Sequence, residues 1–144
     1  MNTVSKEQVN AFLARDFPQA ARGEVTALGD GGATIRYRID HDALRPGGTV
    51  SGPVLFTVAD LALYVAVLGE IGIVPLAVTT NMNINFLRKP SADRDVIGVC
   101  RLLKVGKRLA IGEITLYSDG NDDPVAHATG TYAIPPARGA VTHP

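Results

Sequence analysis

The sequence predicts an α+β fold in which a strongly curved antiparallel sheet wraps around one long apolar helix. Three observations lead there. Residues 53–69 (PVLFTVADLALYVAVLG) carry a single charge, Asp60, and a helix that is apolar on every side is one surrounded by protein. Residues 78–87 alternate Met82, Ile84 and Phe86 with Asn81, Asn83 and Asn85, the period of a strand with one apolar and one polar face. Further strand-like runs flank both features, two before the helix and three after residue 87. A lone apolar helix then buries all its faces only if the sheet curves around it and shares its core.

In chain order, Ser5 to Phe17 reads as a short amphipathic helix, capped by Ser5, with Val9, Phe12 and Leu13 on one face and Pro18 as its stop. It would serve as a lid or a surface brace. Glu24 to Leu28 and Ala33 to Ile39 read as strands joined by Gly29-Asp30-Gly31-Gly32, residues that tolerate the positive φ of a tight hairpin. The long helix opens at Gly52-Pro53, and proline is favoured in a first helical turn. After Val78 to Leu87, the segments Asp95 to Lys104, Arg108 to Ser118 and Val125 to Ile134 complete a meander, with Val105-Gly106-Lys107 and residues 119–124 as turns. The expected organisation is one domain over residues 1–134, its N-terminal helix within 1–18, followed by a flexible tail at 135–144. Free strand edges make self-association an expectation.

With 144 residues, 46% of them hydrophobic, the chain suffices for one sizeable core. Fourteen Lys+Arg balance fourteen Asp+Glu, so there is no bulk attraction to nucleic acid or to anionic lipid. The first residues lack a basic stretch followed by an apolar one, and a cytoplasmic location is expected. Residues 53–69 reach the lower limit of about 17 residues for a bilayer span, but a central Asp argues against one. Cys100 stands alone between apolar neighbours and reads as a core residue. His41 lies in Asp40-His41-Asp42, whose successive residues point to opposite faces when extended, while His127 sits in a strand and His143 in the tail. No zinc spacing, Walker loop or dinucleotide fingerprint occurs, so neither a metal nor an organic cofactor is expected.

Asp60 is the candidate for chemistry. It lies about two turns into the helix, too deep to cap it, and removing a carboxylate from water costs stability unless partners or a function compensate. It is either a base or a structural carboxylate bonded to Thr57 or Tyr64 at helical spacing. Ser51, fourth in Gly48-Thr49-Val50-Ser51-Gly52, is not the central serine of a nucleophile elbow.

Three stretches resemble the hotdog-fold acyl-CoA thioesterases of the phenylacetic-acid-pathway (PaaI-like) type: Gly48 to Asp60 (GTVSGPVLFTVAD), Asn83 to Pro90 (NINFLRKP) and Lys104 to Ala110 (KVGKRLA). The resemblance covers residues 20–134. It implies a helix wrapped by a six-stranded sheet, a homodimer with a continuous sheet that pairs again into a homotetramer, and active sites between subunits. Carried over, Asp60 matches the catalytic carboxylate, and Gly52 the glycine whose backbone N–H polarises the thioester carbonyl. Thr79 matches a hydroxyl that assists the carboxylate in some relatives, or Thr80 does if the register differs by one. Asp60 and Gly52 lie about two turns apart along one helix, so only a partner's helix could bring such a pair to one carbonyl.

The chain departs from the family pattern where Arg45 replaces a common Asn, Ser51 a common His and Pro53 a second Gly. Ser51 would cap the helix or act as a hydroxyl; Arg45 would contact a carbonyl, bind an acidic substrate group or sit on the surface. Arg88-Lys89 and Lys107-Arg108, the latter beside Gly106, would meet the phosphates of coenzyme A or occupy solvated turns. The acyl pocket would run beside Leu55, Phe56, Ala59, Leu63 and Tyr64. The implied activity is hydrolysis of an acyl-CoA to a carboxylic acid and free coenzyme A, which is part of the substrate. A catalytically degenerate acyl-CoA-binding module is the alternative; a hydratase is disfavoured because no His follows Asp60 by five residues.

Overall fold

The computed structural model describes residues 4–40, 44–45 and 49–136. Helix α1 (Lys6–Asp16) starts from a capping box: Ser5 Oγ accepts the Gln8 N–H at 3.1 Å, and the Gln8 side chain accepts the Ser5 N–H at 2.8 Å. A short 3₁₀ turn (Pro18–Ala20) leads into strands β1 (Gly23–Gly29) and β2 (Gly32–Tyr37). Their hairpin turns through Asp30 and Gly31 at φ 54° and 75°, the left-handed conformation that the Gly-Asp-Gly-Gly sequence foreshadowed. Strands β3 (Leu44–Arg45) and β4 (Thr49–Val50) form a two-residue ribbon, too short to leave a periodic signal. Helix α2 (Gly52–Ile71) ends at Gly72, whose φ of 93° and N–H bond to the Leu68 carbonyl at 2.9 Å close the last turn. Strands β5 (Val78–Phe86), β6 (Val96–Val105), β7 (Leu109–Ser118) and β8 (Ala126–Ala133) follow.

The main sheet has six antiparallel strands in the order β1-β2-β6-β7-β8-β5. The expected meander holds for β6, β7 and β8 only. Strand β5 lies outside β8, at the edge, with Val78 opposite Ala133 and Phe86 opposite Ala126. Its Asn81, Asn83 and Asn85 are exposed while Met82 and Ile84 turn inward, as the alternation requires. The predicted extensions to Leu87 and to Ile39 fall outside the strands.

Helix α2 packs across β1, β2, β6 and β7 and is largely enclosed. Its length and composition would suffice to cross a membrane, but its apolar faces are the core of the sheet and α1. Leu63, fully buried, sits over two glycines. A Cβ on Gly112 would lie 2.8 Å from Leu63 Cδ1, and one on Gly130 2.7 Å from Leu63 Cδ2. Gly112→Ala is therefore expected to destabilise the fold by about 1–3 kcal/mol through overpacking. Urea denaturation measures this; an unchanged midpoint would mean that Leu63 has room to move.

Candidate active site

Asp60 sits on the side of α2 that turns away from the middle of the sheet, on a stripe with Thr57, Leu61 and Tyr64 at helical spacing. Its Oδ1 accepts hydrogen bonds from the Thr79 hydroxyl and, at 3.3 Å, from the Tyr132 hydroxyl. Among the described residues no donor reaches Oδ2. The partners available on its own helix are engaged elsewhere: Thr57 donates to the Pro53 carbonyl at 3.0 Å and Tyr64 to the Pro75 carbonyl at 3.4 Å. The local structural pairing with Thr57 or Tyr64 is thus not what the fold builds.

The register explains the choice of hydroxyl. Thr79 and Tyr132 are cross-strand partners on β5 and β8, so both side chains point at the helix together. A bulge between Thr79 and Asn81 turns Thr80 outward, where it donates to the Thr131 carbonyl at 3.3 Å. Thr80 is therefore not beside Asp60. Tyr132 is buried, and burial first, then the charge of Asp60, holds its hydroxyl well above the ordinary tyrosine range. It remains a donor at neutral pH. Sequence reasoning missed it, although inward alternation on β8 places it in the core, and a buried tyrosine hydroxyl normally finds a partner.

Asp60, Thr79 and Tyr132 form part of the wall of a cavity of about 490 Å³. Phe12, Asp16, Phe17 and Ala20 contribute the α1 side, Thr57, Leu61 and Tyr64 the α2 side, and Pro75, Ala77 and Val78 also border it. Tyr64 meets the Phe17 ring edge-on at 5.8 Å and stacks on Tyr132 at 5.7 Å. Of the five residues expected beside an acyl group, only Tyr64 lines this cavity. Leu55, Ala59 and Leu63 are 2%, 0% and 0% exposed, Leu63 against Gly112 and Gly130 of the sheet, and Phe56 is 39% exposed. Measured around the helix from Asp60 at 100° per residue, Tyr64, Thr57 and Leu61 lie to one side and Phe56, Leu63, Ala59 and Leu55 to the other, and the cavity opens on the first side.

Ser51 caps α2, its Oγ accepting the Val54 N–H at 3.3 Å. Leu55 N–H bonds the Ser51 carbonyl at 3.2 Å, and Pro53 has no N–H. Gly52 N–H is the one first-turn donor without an acceptor among the described residues. Gly52 lies against Phe86, where a Cβ would come 3.3 Å from the ring, while Asp60 lies against Thr79. The two groups thus occupy opposite ends of β5, about 12 Å apart along the helix.

The basic pairs are also separated. Gly106 N–H bonds the Leu109 carbonyl at 2.8 Å in the turn holding Lys107 and Arg108, and Leu109 and Val78 both lie opposite Ala133. Arg88 and Lys89 follow Phe86 at the other end; Arg88 donates to the Pro124 carbonyl at 3.1 Å. Within one subunit the two pairs therefore lie toward opposite ends of β5. The Arg45 side chain, His41, His143 and the tail beyond residue 136 lie outside the described residues. Burial first, then the charge of Glu113, pushes the Cys100 thiol up to about 12, so it is no nucleophile. Among the described residues no group of three or more metal-ligating side chains occurs.

Residues 47–125 match the sequence profile of the Thioesterase superfamily. A protein of Saccharolobus solfataricus named "Putative esterase" is 32% identical over 131 residues, covering 91% of this chain and 80% of that protein. A crystal structure from Silicibacter sp. TM1040, described as a "putative thioesterase", superposes with a TM-score of 0.88 at 45% identity, covering 94% of this chain and 95% of that one. A mutant of the phenylacetic acid degradation protein PaaI from Thermus thermophilus gives a TM-score of 0.71 at 25% identity, covering 83% and 98%. The chain belongs to the thioesterase superfamily, as a hotdog-fold hydrolase of the PaaI type.

Proposed function

We propose that the protein hydrolyses acyl-CoA thioesters to a carboxylic acid and free coenzyme A, with Asp60 as the catalytic carboxylate and the Gly52 N–H of a second subunit as the oxyanion donor. The observation that carries this reading is the carboxylate itself. One oxygen is held by Thr79 and Tyr132, and the other is left to act at the wall of an apolar cavity. In the hydrolytic step Oδ2 takes a proton from water, the resulting hydroxide bonds to the thioester carbon, and the carbonyl electrons move onto oxygen facing the Gly52 N–H. Collapse of that intermediate expels the coenzyme A thiolate, which takes up the proton. Direct attack by Oδ2 would pass instead through an acyl anhydride that water then opens.

The sheet edge supports the division of labour between subunits. Among the described residues the outer edge of β5 has no strand partner, and Val78 and Phe86, at its ends, are more than half exposed. Pairing two such edges about a two-fold axis sets the Phe86 end of one subunit against the Val78 end of the other. The partner's first turn of α2 and its Arg88-Lys89 pair then approach Asp60, Thr79 and the Lys107-Arg108 turn. This gathers carboxylate, oxyanion donor and both basic pairs around one thioester, with the basic pairs facing the coenzyme A phosphates. The homodimer is the minimal unit in this reading, two dimers pair into a homotetramer, and the enzyme acts in the cytoplasm without a metal or organic cofactor.

Thiol release measured across short, medium, long and aromatic acyl-CoAs is expected to show turnover with at least one class. Acyl-CoA binding with no release above background from any of them would favour a degenerate binding module.

A further inference from the structure

We infer that the C-terminal half of α1 selects the acyl group, admitting neutral apolar acyl chains and turning away those that end in a carboxylate. This inference rests on the acyl-CoA reading above. The cavity that contains Asp60 measures about 490 Å³, within the range of about 300–1,000 Å³ for small-molecule sites. Its surface is apolar where α1 meets α2, formed by Phe12, Phe17, Leu61 and Tyr64, with Val78 across from them. An acyl chain whose thioester lies at Asp60 has this space to enter.

The charges lining the space have one sign. Asp16 and Asp60 both border it, and the described lining residues include no Lys, Arg or His. A carboxylate at the far end of an acyl chain would leave water beside the Asp60 carboxylate and the half-exposed Asp16 carboxylate (48% exposed), with no counter-charge among the described lining residues, and its burial is costly. Arg15 does not relieve this. Its Nε pairs with Asp16 Oδ2 at 3.0 Å, but its side chain is 70% exposed and does not line the cavity, so the pair is water-screened. Within the subunit, the Lys107-Arg108 and Arg88-Lys89 pairs are likewise absent from the wall, and the reading above turns the basic pairs to the coenzyme A phosphates.

Two non-hydrolysable thioethers of equal carbon number, octyl-CoA and 7-carboxyheptyl-CoA, test this by titration calorimetry on the full-length protein. Octyl-CoA is expected to bind on the order of 100-fold more tightly. Asp16→Arg places a cation in the last turn of α1, where the helix dipole favours it. It is expected to raise affinity for the carboxy analogue relative to octyl-CoA by about tenfold. Equal affinities, no response to Asp16→Arg, or binding of neither thioether overturns the inference. Thiol release from octanoyl-CoA, run alongside, separates the two claims. Release without selective binding keeps the hydrolase and removes the selectivity, whereas selective binding without release keeps the selectivity and removes the hydrolase.

Discussion

Asp60→Asn is expected to lower kcat for thiol release by about 10²–10⁴, the range for loss of a general base, with little change in melting temperature. The substitution preserves volume, and the Asn Oδ1 can still accept the Thr79 and Tyr132 hydroxyls that hold Asp60. What changes is the other position, where an amide NH₂ replaces Oδ2 and can neither take a proton from water nor attack a carbonyl. The loss should fall on kcat and leave KM near its wild-type value, because nothing in the apolar wall has moved. If Asp60 merely held β5 and β8 to the helix, the folded variant would turn over at the wild-type rate. Thiol-release kinetics beside a thermal melt therefore decide between the two roles.

The prominence of Asp60 was legible in the sequence because the run around it contains no other charge, but its partners were not. Candidates at helical spacing, Thr57 and Tyr64, could be read off directly, and both proved to bond helix or loop carbonyls. The true partners come from β5 and β8, and locating them needs two facts that no local pattern encodes: that β5 pairs with β8, and that a bulge selects Thr79 over Thr80. Periodicity fixes which face of a strand is apolar, but not which neighbour the strand takes. The same gap separates all but Tyr64 of the residues expected beside an acyl group from the cavity at Asp60. Residues near Asp60 in sequence, such as Leu63, point at Gly112 and Gly130 instead, while α1, read as a lid or brace, supplies Phe12 and Phe17 from more than 40 positions upstream. The hairpin at Gly29 to Gly32, the Ser5 cap and the long core helix were readable because each depends on residues adjacent in the chain.

Gly52→Pro is expected to lower kcat by about 10²–10³, the effect of losing one oxyanion donor, because only proline removes a backbone N–H. The first helical position tolerates proline, and Gly52 already precedes Pro53, so the backbone there is already adapted to a following proline. Gly52→Ala is the control. It brings a Cβ to about the same 3.3 Å from the Phe86 ring but keeps the N–H, and should retain far more activity. The decisive result comes from mixing Asp60→Asn with Gly52→Pro subunits after dissociation. If each site takes its carboxylate from one subunit and its amide from the other, every mixed dimer contains one site with Asp60 and Gly52 both intact and one with neither. Random reassociation makes half the dimers mixed, so about one quarter of wild-type activity should return from two nearly inactive parents. If both groups served one site within a single subunit, no mixed dimer would hold an intact pair, and mixing would restore nothing. Activity recovered in proportion to the mixed fraction, followed by varying the mixing ratio, thus tests the shared site without any assumption about the acyl group.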